Sequence, residues 1–188
     1  MPRWSYLLFT LLMGLLLLWA FRGPLYRTIV SYQIGEVRDR SSATYPNYRQ
    51  LLQPSAAHPG GVDEAILRAL TSVAAQLHFA PRNAPSDPVV LLAGSEANCI
   101  GYAAAFTARC RFELEHLGLG DEWSVQQHRA TLHLGAFNLH ALTRDPFWMD
   151  HDVAVLTSRN GKDRVVVDPT LFDALGIGRV RAHPQHAP

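Results

Sequence analysis

The chain of 188 residues is short of lysine, cysteine and net charge. Lys162 is the only lysine among 17 basic residues, and the arginines are scattered along the chain. With a formal net charge of +1 and no Lys/Arg stripe to neutralise phosphates, nucleic acid is excluded as the main partner. Cys99 and Cys110 are the only cysteines. On one helix they would lie about 16 Å apart, whereas a disulfide needs Cα atoms within about 7 Å. A disulfide framework is therefore excluded, and so is a Cys-rich zinc site. His128, His133 and His140 match no common zinc spacing, and no carboxylate cluster suggests calcium. No metal and no cofactor are expected. Charged residues make up 18 % and hydrophobic residues 48 %, which argues against a disordered chain.

One long run lacks charge altogether. Residues 4–21, WSYLLFTLLMGLLLLWAF, are bracketed by Arg3 and Arg22. As a helix they would extend about 27 Å, close to the hydrocarbon thickness of a bilayer at about 30 Å. Trp4, Tyr6, Trp19 and Tyr26 stand near the two ends, where amphipathic rings favour the interface. The following WAFRGPLYR is bulky and charged, unlike a signal-peptidase site. Residues 1–26 are thus expected to form a single-pass anchor in the lipid bilayer. Counting arginines leaves the chain on the cytoplasmic side, whereas the likeness to a signal-anchor favours the extracytoplasmic one.

Beyond the anchor, residues 27–62 are rich in Ser, Pro and Gly and read as a tether. The segment VDEAILRALTSVAAQLHF repeats apolar residues at helical spacing, with Asp63 placed to cap it. A second helix is expected from Cys99 to about Leu117, stopped by Gly118. EWSVQQHRATLHL suits a strand, and AFNLHALTRDPFWMD an irregular connection. HDVAVLTSRNGKDRVVVDPT reads as a hairpin turning at Asn160-Gly161. Helices followed by strands predict an α+β domain over 63–182, with helices packed on an antiparallel sheet. Residues 183–188 are expected to fray.

A two-residue turn at Asn160-Gly161 sets Val153 opposite Asp168. Side chains two apart on a strand share a face, as do directly paired ones. His151 and Asp168 are then diagonal neighbours about 7–8 Å apart at the backbone, within reach of an imidazole and a carboxylate. An Asp beside a His fixes its tautomer and stabilises the imidazolium. Asp150 and Asp152 also flank His151, but Asp152 alternates to the other face. Cys99, in SEANCIGYAAAF, opens a helix, where the dipole and free N–H groups favour a thiolate and could stabilise an oxyanion. Gln126 and Gln127 are further candidate donors. Taken singly, such a cysteine is more often buried and inert; the histidine and aspartate in the hairpin favour the nucleophile.

CIGYAAAF, then a strand beginning with histidine, then a hairpin ending VVVDPT, resembles the transglutaminase-like domain of the papain-like cysteine enzymes over about residues 63–173. The resemblance implies a papain-like α+β fold and a Cys-His-Asp triad, at Cys99, His151 and Asp168. Family members often carry Ala-Trp after the histidine; here Asp152-Val153 follow. It implies thioester acyl transfer on amide or peptide bonds of a protein or peptide substrate, and the small domain favours hydrolysis over transamidation. Two rival readings are a non-catalytic binding or assembly module at a membrane and an acyl-CoA-dependent transferase. The latter lacks a basic phosphate-binding cluster.

Overall fold

In the computed structural model, residues 3–38, 42–52, 60–142 and 151–183 are described. The element that organises them is α6 (Cys99–His116). Its sequence is apolar on nearly every side, and a helix of that kind must be covered all round. One side packs on α4 (Val62–Gln76), another on the strands β4 (Trp123–Leu134) and β6 (His151–Ser158). A third is covered by Tyr45 and Tyr48 of α3 (Tyr45–Leu51), which cluster with Ala108 and Phe112. The short α5 (Pro88–Leu91) packs there too. Gly118, at φ +73°, ends the turn after α6, a backbone position that favours glycine.

The main sheet has the order β1 (Val30–Val37), β4, β6, β7 (Arg164–Val167), β8 (Arg179–Val180), with β5 (Phe137–Asn138) also pairing β4. These strands pair antiparallel throughout, and Tyr32 also bridges Ala182 in parallel. The fold is therefore α+β with helices on an antiparallel sheet, as expected. One face of the sheet carries Val125, Ala154, Leu156 and Val167 toward α4 and α6. The other buries Tyr32, Ile34, Ala130, Val153, Val155 and Val166.

The hairpin holds the expected register, with Ala154 opposite Val167 and Leu156 opposite Val165. Its closure differs from a two-residue turn. Ser158 N–H donates to the Asp163 carbonyl at 2.9 Å, and Gly161 N–H closes back on Ser158 at 2.8 Å. Asn160 Oδ1 accepts from Ser158 Oγ and Lys162 N–H, so a four-residue loop is stabilised by side chains. The loop adds residues equally on both sides and the register is unchanged.

The tether expected over 27–62 is corrected. Val30–Val37 forms β1, paired with β4 from Val30–Leu134 to Val37–His128 with a bulge between Ile34 and Val37. Tyr32 is fully buried and Ile34 nearly so. Burying two large side chains on one face outweighs the polar ones between them. Asp63 is also not a cap: Gly61 holds that position, and Asp63 pairs with Arg179 on β8 (Arg179–Val180). The end of the predicted first helix, Leu77–Phe79, leaves α4 as β2, parallel to β3 (Ser95–Ala97). Most of the 183–188 tail lies outside the described residues.

At the N-terminus, Arg3–Ala20 forms α1 and Arg22–Ile29 forms α2. No single helix among the described residues is long and apolar enough to cross a membrane. Tyr6–Ala20 and Arg22–Ile29 meet that test only as a pair, bent by 66°. The leucines of α1 are exposed along its length. α2 instead leads straight into β1, and Arg22 Nε donates to the Leu175 carbonyl at 2.5 Å, at the end of α7 (Pro169–Leu175).

Candidate active site

Cys99 is the first residue of α6. Asn98 caps the helix, its Oδ1 accepting from Gly101 N–H at 3.1 Å, as Asn does at this position. Its Nδ2 donates to the Arg82 carbonyl at 3.2 Å, which ties the cap to the preceding loop. The cap takes up the Gly101 N–H. The Cys99 N–H, at the first helical position, has no acceptor within the helix by construction. Cys99 is 8 % exposed and lines a cavity of about 270 Å³.

His151 opens β6, and Asp168 stands one residue past the end of β7 (Arg164–Val167). The register places both on the face away from α6, and His151 Nε2 lies 2.8 Å from Asp168 Oδ2. Asp168 is also the N-cap of α7, its Oδ1 accepting from Leu171 N–H at 3.0 Å, with Pro169 at the first helical position. One carboxylate thus caps a helix with one oxygen and orients an imidazole with the other. Because Nε2 faces Asp168, Nδ1 is the ring nitrogen left for Cys99, which lines the same cavity as His151.

Burial works against a charge on either partner. For His151 the negative charges and hydrogen bonds of Asp168 and then Cys99 outweigh it, holding the imidazole protonated well above its ordinary range. For Asp168, His151, the Leu171 N–H and the Tyr32 hydroxyl outweigh burial and hold the carboxyl below its ordinary range. The result is a buried imidazolium-carboxylate pair with the sulfur beside it. Cys110, deep in α6 and fully buried, has its thiol pushed far up by burial and then by Glu113.

Two tyrosines complete the surroundings. The Tyr32 hydroxyl donates to Asp168 Oδ2 at 2.8 Å. It has a single proton, so the 2.6 Å contact between the Tyr26 and Tyr32 hydroxyls must be donated by Tyr26. The cavity is lined by Phe79, Leu132, Leu171 and Ala174 besides these polar groups. It is a small, mostly apolar pocket with convergent polar atoms. Tyr32 is absent from the expected site, and the sequence places Tyr26 at the expected membrane interface. The signal for Tyr32 is the alternation Val30, Tyr32, Ile34, a strand pattern inside the supposed tether.

The candidate oxyanion donors are corrected. Gln127 is buried, but its Nε2 donates to the Ile100 carbonyl at 3.2 Å and to Asp152 Oδ2 at 2.6 Å. Gln126 is exposed on the opposite face of β4. Asp152 faces α6 and pairs with Arg38 at 3.1 Å, not with His151. Gln127 and Asp152 therefore join the first turn of α6 to β6 and help set Cys99 relative to His151. Asp150 lies outside the described residues. His140 lines the cavity, His128 Nδ1 meets the Gly35 carbonyl, and the His133 ring packs edge-on against His183. Among the described residues no group of three His, Cys, Asp or Glu side chains could hold a metal ion. No family model matches this chain, and neither does a curated protein or a solved structure.

Proposed function

We propose that this protein is a membrane-tethered cysteine enzyme of transglutaminase-like, papain-like type, which breaks amide or peptide bonds through a thioester. The observation that carries the reading is the ordered set Asp168, His151, Cys99: a carboxylate on Nε2, an imidazole held protonated, and a cysteine at a helix N-terminus in one cavity. In this reading the Cys99 sulfur attacks the carbonyl carbon, and the Cys99 N–H faces the developing oxyanion. His151 gives its proton to the leaving amine as the C–N bond breaks. A water then attacks the thioester, losing its proton to His151, and the acid leaves as the S–C bond breaks. Asp168 keeps the ring oriented throughout. The exposed apolar surface of α1 supports the tether, since soluble chains rarely expose apolar patches of that size.

The test is alkylation by iodoacetamide at pH 6 and 7, with modified cysteines located by mass spectrometry. Cys99 should label quickly through the cavity, and Cys110 only after unfolding. His151→Ala should slow Cys99 at least tenfold, less than the roughly 10²–10⁴ that a paired acid-base group contributes in catalysis. Labelling of Cys99 no faster than that of Cys110, or unchanged in His151→Ala, would overturn the assignment and leave the domain as a non-catalytic module.

A further inference from the structure

We propose that Tyr32, itself held by Tyr26, is a positioning residue that fixes the Asp168 carboxylate on which His151 depends, so that the segment leaving the N-terminal helix is part of the active site. This rests on the Cys-His-Asp reading above. The chain of contacts is continuous: Tyr26 hydroxyl to Tyr32 hydroxyl at 2.6 Å, Tyr32 hydroxyl to Asp168 Oδ2 at 2.8 Å, and the same Oδ2 to His151 Nε2 at 2.8 Å. Each link comes from a different element. Tyr26 belongs to α2, Tyr32 to β1, Asp168 to the junction of β7 and α7, and His151 to the start of β6.

The geometry makes Tyr32 more than filler. Its ring is fully buried and lies 6.2 Å from the His151 ring, centroid to centroid. Burial and the charge of Asp168 push its hydroxyl far above the ordinary phenol range. It therefore stays protonated and donates. Without that donor, Oδ2 would keep only His151, and the carboxylate would be anchored against rotation only through Oδ1 on Leu171 N–H. A carboxylate accepting two donors on one oxygen and a third on the other is held in one rotamer. Buried networks of this kind lose more than one contact when a member is removed. Tyr26 matters because it occupies the second lone pair of the Tyr32 hydroxyl and keeps its proton turned toward Asp168.

The experiment is a double-mutant cycle on the full chain, read as the iodoacetamide rate of Cys99 at pH 6 with melting temperature measured alongside. Removing a hydrogen bond to a charged group predicts that Tyr32→Phe slows Cys99 by about tenfold. Tyr26→Phe should slow it by about threefold, as the indirect member. Asp168→Asn keeps the helix cap and should slow Cys99 more than either. If the tyrosines act through Asp168, adding Tyr32→Phe or Tyr26→Phe to Asp168→Asn changes nothing further. Full-rate labelling in Tyr32→Phe, or losses that multiply in the double variants, would overturn the proposal. Should Tyr32→Phe lower the melting temperature sharply, the half-buried Tyr26 decides by the same cycle. Slow labelling already in the wild type is a separate outcome, which overturns the underlying triad instead.

Discussion

At the scale of single residues, the His151–Asp168 pair ties stability to pH. Asp168 is held below its ordinary value, so its share is present above the unfolded carboxyl pKa of about 4 and is lost as pH falls through the lower folded value. His151 is held above its ordinary value, so its share is full below about pH 6.5 and is lost as pH rises through the raised folded value. Both shares are present together between about pH 4 and 6.5. Asp168→Asn keeps the cap and the shape but removes the charge. The difference in melting temperature between wild type and Asp168→Asn should be largest within that window and shrink on both sides. A difference that stays flat from pH 4 to 9 would mean that the pair is not charged in the folded state. The diagonal placement of His151 and Asp168 was legible because strand alternation and a hairpin register are arithmetic in the sequence. The Gln127 and Tyr32 contacts were not. Both depend on which strand lies beside which, and no local pattern carries that information.

At the scale of elements, the legible ones were those whose own periodicity decides them. α6 begins at Cys99 because Asn98 caps it and ends before Gly118, and β6 and β7 flank a turn-forming Asn-Gly. β2, β3 and α5 are too short to show a period, and tertiary packing makes them. The packing also gives Gly101 a role: a Cβ there would stand 2.7 Å from the Pro85 carbonyl oxygen and 3.0 Å from Ala97 Cβ, on the side of the 80s loop. Gly101→Ala sets two effects against each other. Helix propensity gains up to about 1 kcal/mol, while overpacking against a backbone oxygen costs about 1–3 kcal/mol. The oxygen cannot swing aside as a side chain would, so the net change should be a loss of about 1–2 kcal/mol, or roughly 4 °C in melting temperature for a chain of this size. A higher melting temperature in Gly101→Ala would show that the loop yields and that the close approach is not needed.

At the scale of the whole molecule, the question is where the folded unit begins. Composition set its start near residue 63, after the Ser/Pro/Gly-rich stretch. The topology sets it near α2, because β1 covers one edge of β4 and brings Tyr32 and Ile34 into the core. Each such side chain contributes about 1.5–3 kcal/mol when buried, against a net stability of about 5–15 kcal/mol for a typical domain. Losing both, with the β1–β4 ladder, removes a large share of that total and leaves β4 as an open edge prone to pairing with other chains. A chain beginning at Val62 should therefore aggregate or melt without a cooperative transition. A chain beginning at Arg22 keeps Tyr26, β1 and the Arg22 contact to Leu175, and should melt cooperatively. It should also be recovered in the soluble fraction, whereas the full chain, carrying α1, stays with membranes through an alkaline carbonate wash. Cooperative melting of the chain from Val62 would show that β1 is dispensable. Release of the full chain by carbonate would remove the tether from the proposed function while leaving the triad untouched. The two measurements thus separate the proposed role of α1 in attachment from that of α2 and β1, which belong to the fold and reach the Asp168 carboxylate.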